Sequence, residues 1–230
     1  MKKLGENNVE NGIIRPKTRL IIVRHGESVG NAMRVMLGHT DLDLSEHGYK
    51  QAACTAKHLE GEKIDAIYSS DLKRAYNTAM AFANLKNMSV AADEGLREIN
   101  VGVWEGICVD EVEARWGDEY TVRWCRGFGT FKFPDGEDVM EGGERFYRTL
   151  EKIAKKHIGE CVLIASHAAV IRAFWAIISG IRRDKIAEVL PFATNASCSY
   201  VEFDGEKFIP IKYSEDEHLL EVGITRVRTG

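Results

Sequence analysis

The chain has little that would staple it, thread it through a membrane or anchor it to a polyanion. Cysteine supplies five of 230 residues, at 54, 108, 125, 161 and 198. The number is odd and no two form a C-x-x-C pair, which argues against a secreted disulfide scaffold and fits a reducing compartment. Cys161 lies in an apolar run and reads as a small hydrophobe. No stretch approaches the ~18 consecutive apolar residues of a membrane span. Residues 1–17 lack an apolar signal-peptide segment and read as a loose polar tail, so the expected location is cytoplasmic. There is no H-E-x-x-H or comparable spacing, so the chemistry is expected to use no metal and no other cofactor. Excess positive charge is also missing: 31 Lys and Arg face 35 Asp and Glu, for a formal charge of −4. That balance excludes a general attraction to nucleic acid or an anionic membrane. Any anion must be held by a local cluster.

What is present is a core and an alternation. The chain is 44% hydrophobic, enough to need no staple at this length. "TRLIIV" (18–23) reads as a strand. Ser45 can cap a helix with Ala52, Ala53, Ala56 and Leu59 on one face. "IDAIY" (64–68) is a second strand, followed by a helix from Ser69 or Ser70 with Leu72, Ala75, Ala79 and Phe82 inward. "MSVAA" is a third strand candidate. A helix falls within 107–126, an irregular excursion spans 127–143, and 144–157 is helical. "CVLIAS" (161–166) is a strand and 168–179 an apolar helix. Asp204-Gly205 marks a hairpin, with Pro210 placing the returning strand at an edge. These units predict an α/β fold, a three-layer α/β/α sandwich with a mainly parallel central sheet, over one domain from 18 to 230.

In such sheets ligands bind beyond the carboxyl ends of the strands. Three of those ends carry unusual residues: Arg24-His25-Gly26, Ser69-Ser70-Asp71 with Arg74, and His167. Singly, such a His is usually a hydrogen-bonded structural residue and such an Arg a surface charge. Arg74 in a first helical turn even opposes the macrodipole, typically by ~0.3–1 kcal/mol. Together they read as a phosphate pocket, because guanidinium forks and helix N-termini both suit phosphate oxygens.

Five ordered motifs then carry a resemblance: "RHGESVGN" (24–31), "SSDLKRAYNTA" (69–79), "LREINVGVWEG" (96–106), "EGGERF" (141–146) and "SHAAVIRA" (166–173). From residue 19 to about 203 the chain resembles the histidine phosphatase superfamily, the phosphoglycerate-mutase-like enzymes. The resemblance implies that His25 attacks phosphorus and becomes a phosphohistidine. It implies that Arg24, Arg74 and His167 hold the phosphoryl oxygens, that Asn31 donates to the same group, and that Glu98 is the general acid. The bland reading of Glu98 is a surface salt bridge; Glu27, Glu105 and Glu144 are weaker carboxylate candidates. Gly26 is expected to provide a sharp turn against the ligand. Ala168 departs from the Gly often found after the second His. His47, His58, His157 and His218 match no catalytic position, whereas His39 lies in a loop near the site.

The same phosphoenzyme could give its phosphate to water or to a second hydroxyl. Trp124-Cys125-Arg126 is similar to the region where mutases carry a tryptophan and two arginines, but half of that clamp is missing. Val29 also stands where mutases have Trp. The expectation is a phosphomonoester hydrolase acting on a small phosphorylated metabolite. The alternatives are mutase-type transfer and a phospho-ligand-binding module without turnover. His39, Trp124 and Arg126 are the substrate-side candidates. The excursion 127–143, with Trp124, Phe128, Phe131 and Phe133, is either a specificity lid or inward packing, and a homodimer is left open.

Overall fold

The computed structural model describes residues 9–10, 13–14 and 16–225. Most of the polar tail expected over 1–17 lies outside the described residues, but β1 (Val9–Glu10) and β2 (Ile13–Ile14) form a short antiparallel pair within it.

The central sheet has six strands: β3 (Thr18–Arg24), β4 (Ala66–Ser69), β5 (Val90–Ala92), β6 (Cys161–Ser166), β7 (Cys198–Phe203) and β8 (Phe208–Glu215). Their order is β5-β4-β6-β3-β7-β8. The first four run parallel, while β7 pairs antiparallel with both β3 and β8. The helices are α1 (Val29–Ala32), α2 (Glu46–His58), α3 (Lys73–Lys86), α4 (Val109–Trp116), α5 (Val139–Lys156), α6 (Ala168–Ile178) and α7 (Ile186–Val189).

Both faces of the inner strands are covered, which is why these strands read as unbroken apolar runs. Leu20, Ile22, Val162 and Ile164 pack with residues of α5 and α6, among them Phe146, Leu150, Ile171 and Phe174. Ile21, Val23, Leu163 and Ala165 alternate with them and meet Ala56, Ala79 and Phe82 of α2 and α3. The four apolar residues of β3 are at most 1% exposed, so truncating Ile22 to Ala should cost about 2–5 kcal/mol.

This topology fixes where the site lies. The chain leaves β3 through α2 and crosses past the β6 position to β4. It leaves β6 through α6 on the opposite face and crosses β3 to reach β7. The β3/β6 boundary is therefore a switch point, where diverging connections open a crevice at the carboxyl ends.

One sequence expectation is corrected and two are made specific. The helix expected within 107–126 is α4; Gly117, at φ 45°, ends it, and a π-helical segment Glu119–Trp124 follows. α5 begins at Val139, not 144, with the Asp138 carboxylate accepting from the Met140 and Glu141 N–H groups. Gly142 and Gly143 sit inside it because a Cβ there would stand 3.0 Å from Ile99 and 2.7 Å from Ala173. Of the two readings of the excursion, a specificity lid or inward packing, its phenylalanines take the second. Phe128, Phe131 and Phe133 are at most 1% exposed and surround Trp104 and Trp124 in the core. No helix among the described residues is long and apolar enough to cross a membrane.

Candidate active site

Register brings the two histidines together. Arg24 of β3 is paired with Ser166 of β6, and the next residue's N–H, on His25, donates to the Ser166 carbonyl at 2.9 Å. His25 and His167 thus leave adjacent strands side by side, with ring centroids 5.1 Å apart in an edge-to-face arrangement. His25 Nδ1 lies 2.7 Å from the Gly26 carbonyl. A carbonyl only accepts, so Nδ1 carries the proton and Nε2 keeps its lone pair. Burial, reinforced by Arg74 and Arg24, holds the His25 imidazole well below its ordinary pKa. His167 is depressed in the same direction, by burial first and then by Arg74 and His25. His167 is fully buried, and neither ring nitrogen has a partner among the described residues.

Two guanidiniums complete the base of the site. Arg24 donates from Nη1 to the Ala193 carbonyl at 2.7 Å. Arg74 donates to the carbonyls of Thr40 and Gly38 at 2.9 and 2.8 Å. Both are at most 2% exposed, and the Nε of each has no partner among the described residues. Burial pushes each down to about 10, so both remain cationic at neutral pH. Neither forms an ion pair among the described residues. Buried charge without a counter-charge is costly, and an incoming anion relieves that cost.

The loop that carries His25 is clamped on several sides. Gly26 N–H donates to Thr78 Oγ1, and Thr78 donates to the Arg74 carbonyl. Gly26 is needed here for close approach and not for a turn of positive φ: a Cβ would stand 2.4 Å from the Gly48 carbonyl oxygen of α2. Asn31 and Ser28 form a reciprocal capping box at α1. Asn195 donates from Nδ2 to the His25 carbonyl at 3.0 Å and to Asn31 Oδ1 at 3.2 Å.

Glu98 is not a surface salt bridge. Its Oε1 accepts from the Ile99 and Val170 N–H groups and its Oε2 from Ala169 N–H, each at 3.0 Å. The carboxyl group therefore sits over the first turn of α6 and occupies two of its otherwise unsatisfied N–H groups. Arg145 fixes this segment through the Gly95, Arg97 and Glu98 carbonyls and pairs with Glu137. His39 Nε2 lies 2.9 Å from the Glu98 carbonyl, so this ring braces Glu98 from outside.

Arg24, His25, Asn31, Arg74 and Glu98 share one cavity of about 370 Å³, and Trp124 lines its far side. Arg126 does not. It is exposed and away from the cavity, because the π-helical segment ending at Trp124 turns that tryptophan inward and leaves the next turn on the surface. Sequence reasoning missed Asn195, Thr78 and Arg145. Arg145 and Thr78 stand in motifs that were noticed, but nothing local marks Asn195.

The chemistry open to this arrangement is phosphoryl transfer through histidine: a neutral imidazole with one free lone pair faces buried, uncompensated cations. Comparison with known proteins agrees. A metal-independent phosphoserine phosphatase of Arabidopsis thaliana is 34% identical over 209 residues, covering 90% of this chain and 85% of its own. Phosphoserine phosphatase 1 of Hydrogenobacter thermophilus is 34% identical over 203 residues, covering 88% and 95%. The solved structure of a mycobacterial glucosyl-3-phosphoglycerate phosphatase with VO3 superposes with a TM-score of 0.79 at 25% identity, covering 86% of this chain and 99% of that one. The family model for the histidine phosphatase superfamily (branch 1) matches residues 20–216. The chain belongs to that superfamily.

Proposed function

We propose that this protein hydrolyses phosphomonoesters of small metabolites by way of a phosphohistidine on His25 Nε2, without a metal. Nε2 attacks phosphorus in line with the departing oxygen. Arg24, Arg74 and Asn31, with His167 behind them, hold the equatorial oxygens and neutralise charge as it spreads in the transition state. Glu98 protonates the leaving oxygen and then takes a proton from the water that cleaves the phosphoenzyme. The observation that carries this reading is the His25 Nδ1 contact to the Gly26 carbonyl, which commits the other nitrogen to chemistry.

Hydrolysis is favoured over mutase-type transfer because Arg126, the remaining half of the expected carboxylate clamp, is off the cavity. Beyond the phosphate end the walls are largely apolar, with Val35, Met36, Leu37, Val101, Trp124 and Phe192. A leaving group with an apolar or ring portion fits them best.

The test is p-nitrophenyl phosphate turnover in EDTA, with alkaline-quench trapping of enzyme labelled by the substrate's phosphoryl group. Wild type should yield an acid-labile, alkali-stable adduct assigned to Nε2 by nitrogen–phosphorus NMR coupling. His25→Ala should show neither adduct nor turnover. Equal labelling of the two proteins, or attachment at Nδ1, would refute the assignment.

A further inference from the structure

Arg172 lies outside the cavity and belongs to none of the roles above, yet it is a third buried guanidinium. It is 3% exposed and forms no ion pair among the described residues. Its Nη1 has no partner among them either. A cation in such a place is costly, and an apolar side chain of similar volume would ordinarily serve the core as well or better. Its other contacts converge on one stretch of chain. Nε donates to the Leu190 carbonyl at 2.7 Å, and Nη2 reaches the Ile186 and Ala187 carbonyls at 3.3 and 3.4 Å. The guanidinium carbon sits 4.2 Å from the centre of the Phe192 ring and 4.4 Å from that of Phe128. Both separations are well within cation–π range.

That stretch needs a tether. From Thr194 onward the chain is held by Ser214, Thr225 and Arg24, but across residues 190–192 Pro191 has no N–H, and the Tyr213 hydroxyl reaches the Pro191 carbonyl from one side at 2.8 Å. The residue after Phe192 is Ala193, whose carbonyl accepts the Arg24 Nη1 bond. Two residues further on, Asn195 holds His25 and Asn31. We infer that Arg172 is a positioning residue for phosphate capture: it pins residues 186–192 so that the Ala193 carbonyl aims the Arg24 guanidinium into the cavity. A planar fork seated against two mutually perpendicular rings fixes a segment in a way that a flexible ammonium or an apolar chain does not.

The consequence is coupling between Arg172 and Arg24, which a merely structural residue would not show. The probe is orthovanadate, with its dissociation constant measured for wild type, Arg172→Met, Arg24→Met and the double variant. Arg172→Met should weaken vanadate binding about tenfold while keeping wild-type folded secondary structure. On the Arg24→Met background the same substitution should have no further effect. Vanadate affinity equal to wild type in Arg172→Met, or an undiminished tenfold loss in the double variant, would overturn the inference. If Arg172→Met does not fold, the cycle is run with Arg172→Lys, which keeps the charge but not the fork. A loss of about threefold that vanishes with Arg24→Met supports the coupling, and no loss or a persisting one refutes it. Because the readout is binding, it stays interpretable even if turnover through His25 proves wrong.

Discussion

Replacing Arg74 with methionine separates what the residue does for the fold from what it does for a ligand. Burial moves its pKa from an ordinary 12.5 to about 10. At 1.36 kcal/mol per pH unit, that gap corresponds to about 3 kcal/mol by which the empty site disfavours the cation. The sign is fixed by the direction: a base depressed on folding carries its full penalty below pH 10 and loses it only as pH rises through 10 towards 12.5. Methionine removes that penalty, but it strands the Gly38 carbonyl, at a cost of about 1–3 kcal/mol, and costs the Thr40 carbonyl less because it keeps the Leu42 N–H at 3.3 Å. The two effects nearly cancel, so urea unfolding at pH 7 should place Arg74→Met within about 1–2 kcal/mol of wild type. Catalysis has no such cancellation. Loss of a charge-assisted donor from a dry site should lower kcat/KM for p-nitrophenyl phosphate about a thousandfold, or roughly 4 kcal/mol. The wild-type melting temperature should rise with added inorganic phosphate, and that of the variant should not. A fall in kcat/KM of less than tenfold would place Arg74 outside the transition state. A stability loss well beyond 3 kcal/mol would make it structural instead.

Two other outcomes are expected. His25 and His167 are both held well below the ordinary 6.5, so below that pH the unfolded chain binds protons that the folded one refuses. Stability from this source is complete above pH 6.5 and should drain away beneath it with a slope of up to about 2.7 kcal/mol per pH unit. Urea titrations from pH 7.5 to 5.5 should show it, with a shallower slope in His167→Gln; a flat wild-type profile would mean the rings are not buried neutral. Glu98→Gln retains an oxygen for the first turn of α6 and should fold normally. It should slow alkyl phosphates about a hundredfold more than p-nitrophenyl phosphate, whose leaving group needs little protonation; equal losses would move the proton to another group.

Much of this architecture was written in local patterns. The strands at 18–23 and 161–166 were visible because an inner parallel strand is apolar on both faces, and the polar residues that follow stand out against it. His25, His167, Arg24, Arg74 and Glu98 were legible as members of ordered motifs, and all but His167 line the cavity. What could not be read depends on packing between distant segments. Gly142 and Gly143 looked like a loop, but their missing side chains let α5 approach Ile99 and Ala173. Gly26 suggested a turn, whereas its purpose is contact with the Gly48 carbonyl. The excursion's phenylalanines have no period that separates a lid from a core. Asn195 lies in a stretch without pattern, and only the return of the chain beside β3 brings it to His25.

The neighbours of β3 have a bearing on how the protein is made. Its partners, β6 and β7, begin at Cys161 and Cys198, so this apolar strand emerges from the ribosome well over a hundred residues before either can pair with it. Such long-range pairing is slow to form, and an unpaired apolar strand is prone to intermolecular association while it waits. Nascent chains arrested before residue 198 should therefore seek chaperones, and should acquire the capacity to bind phosphate only once β7 has docked.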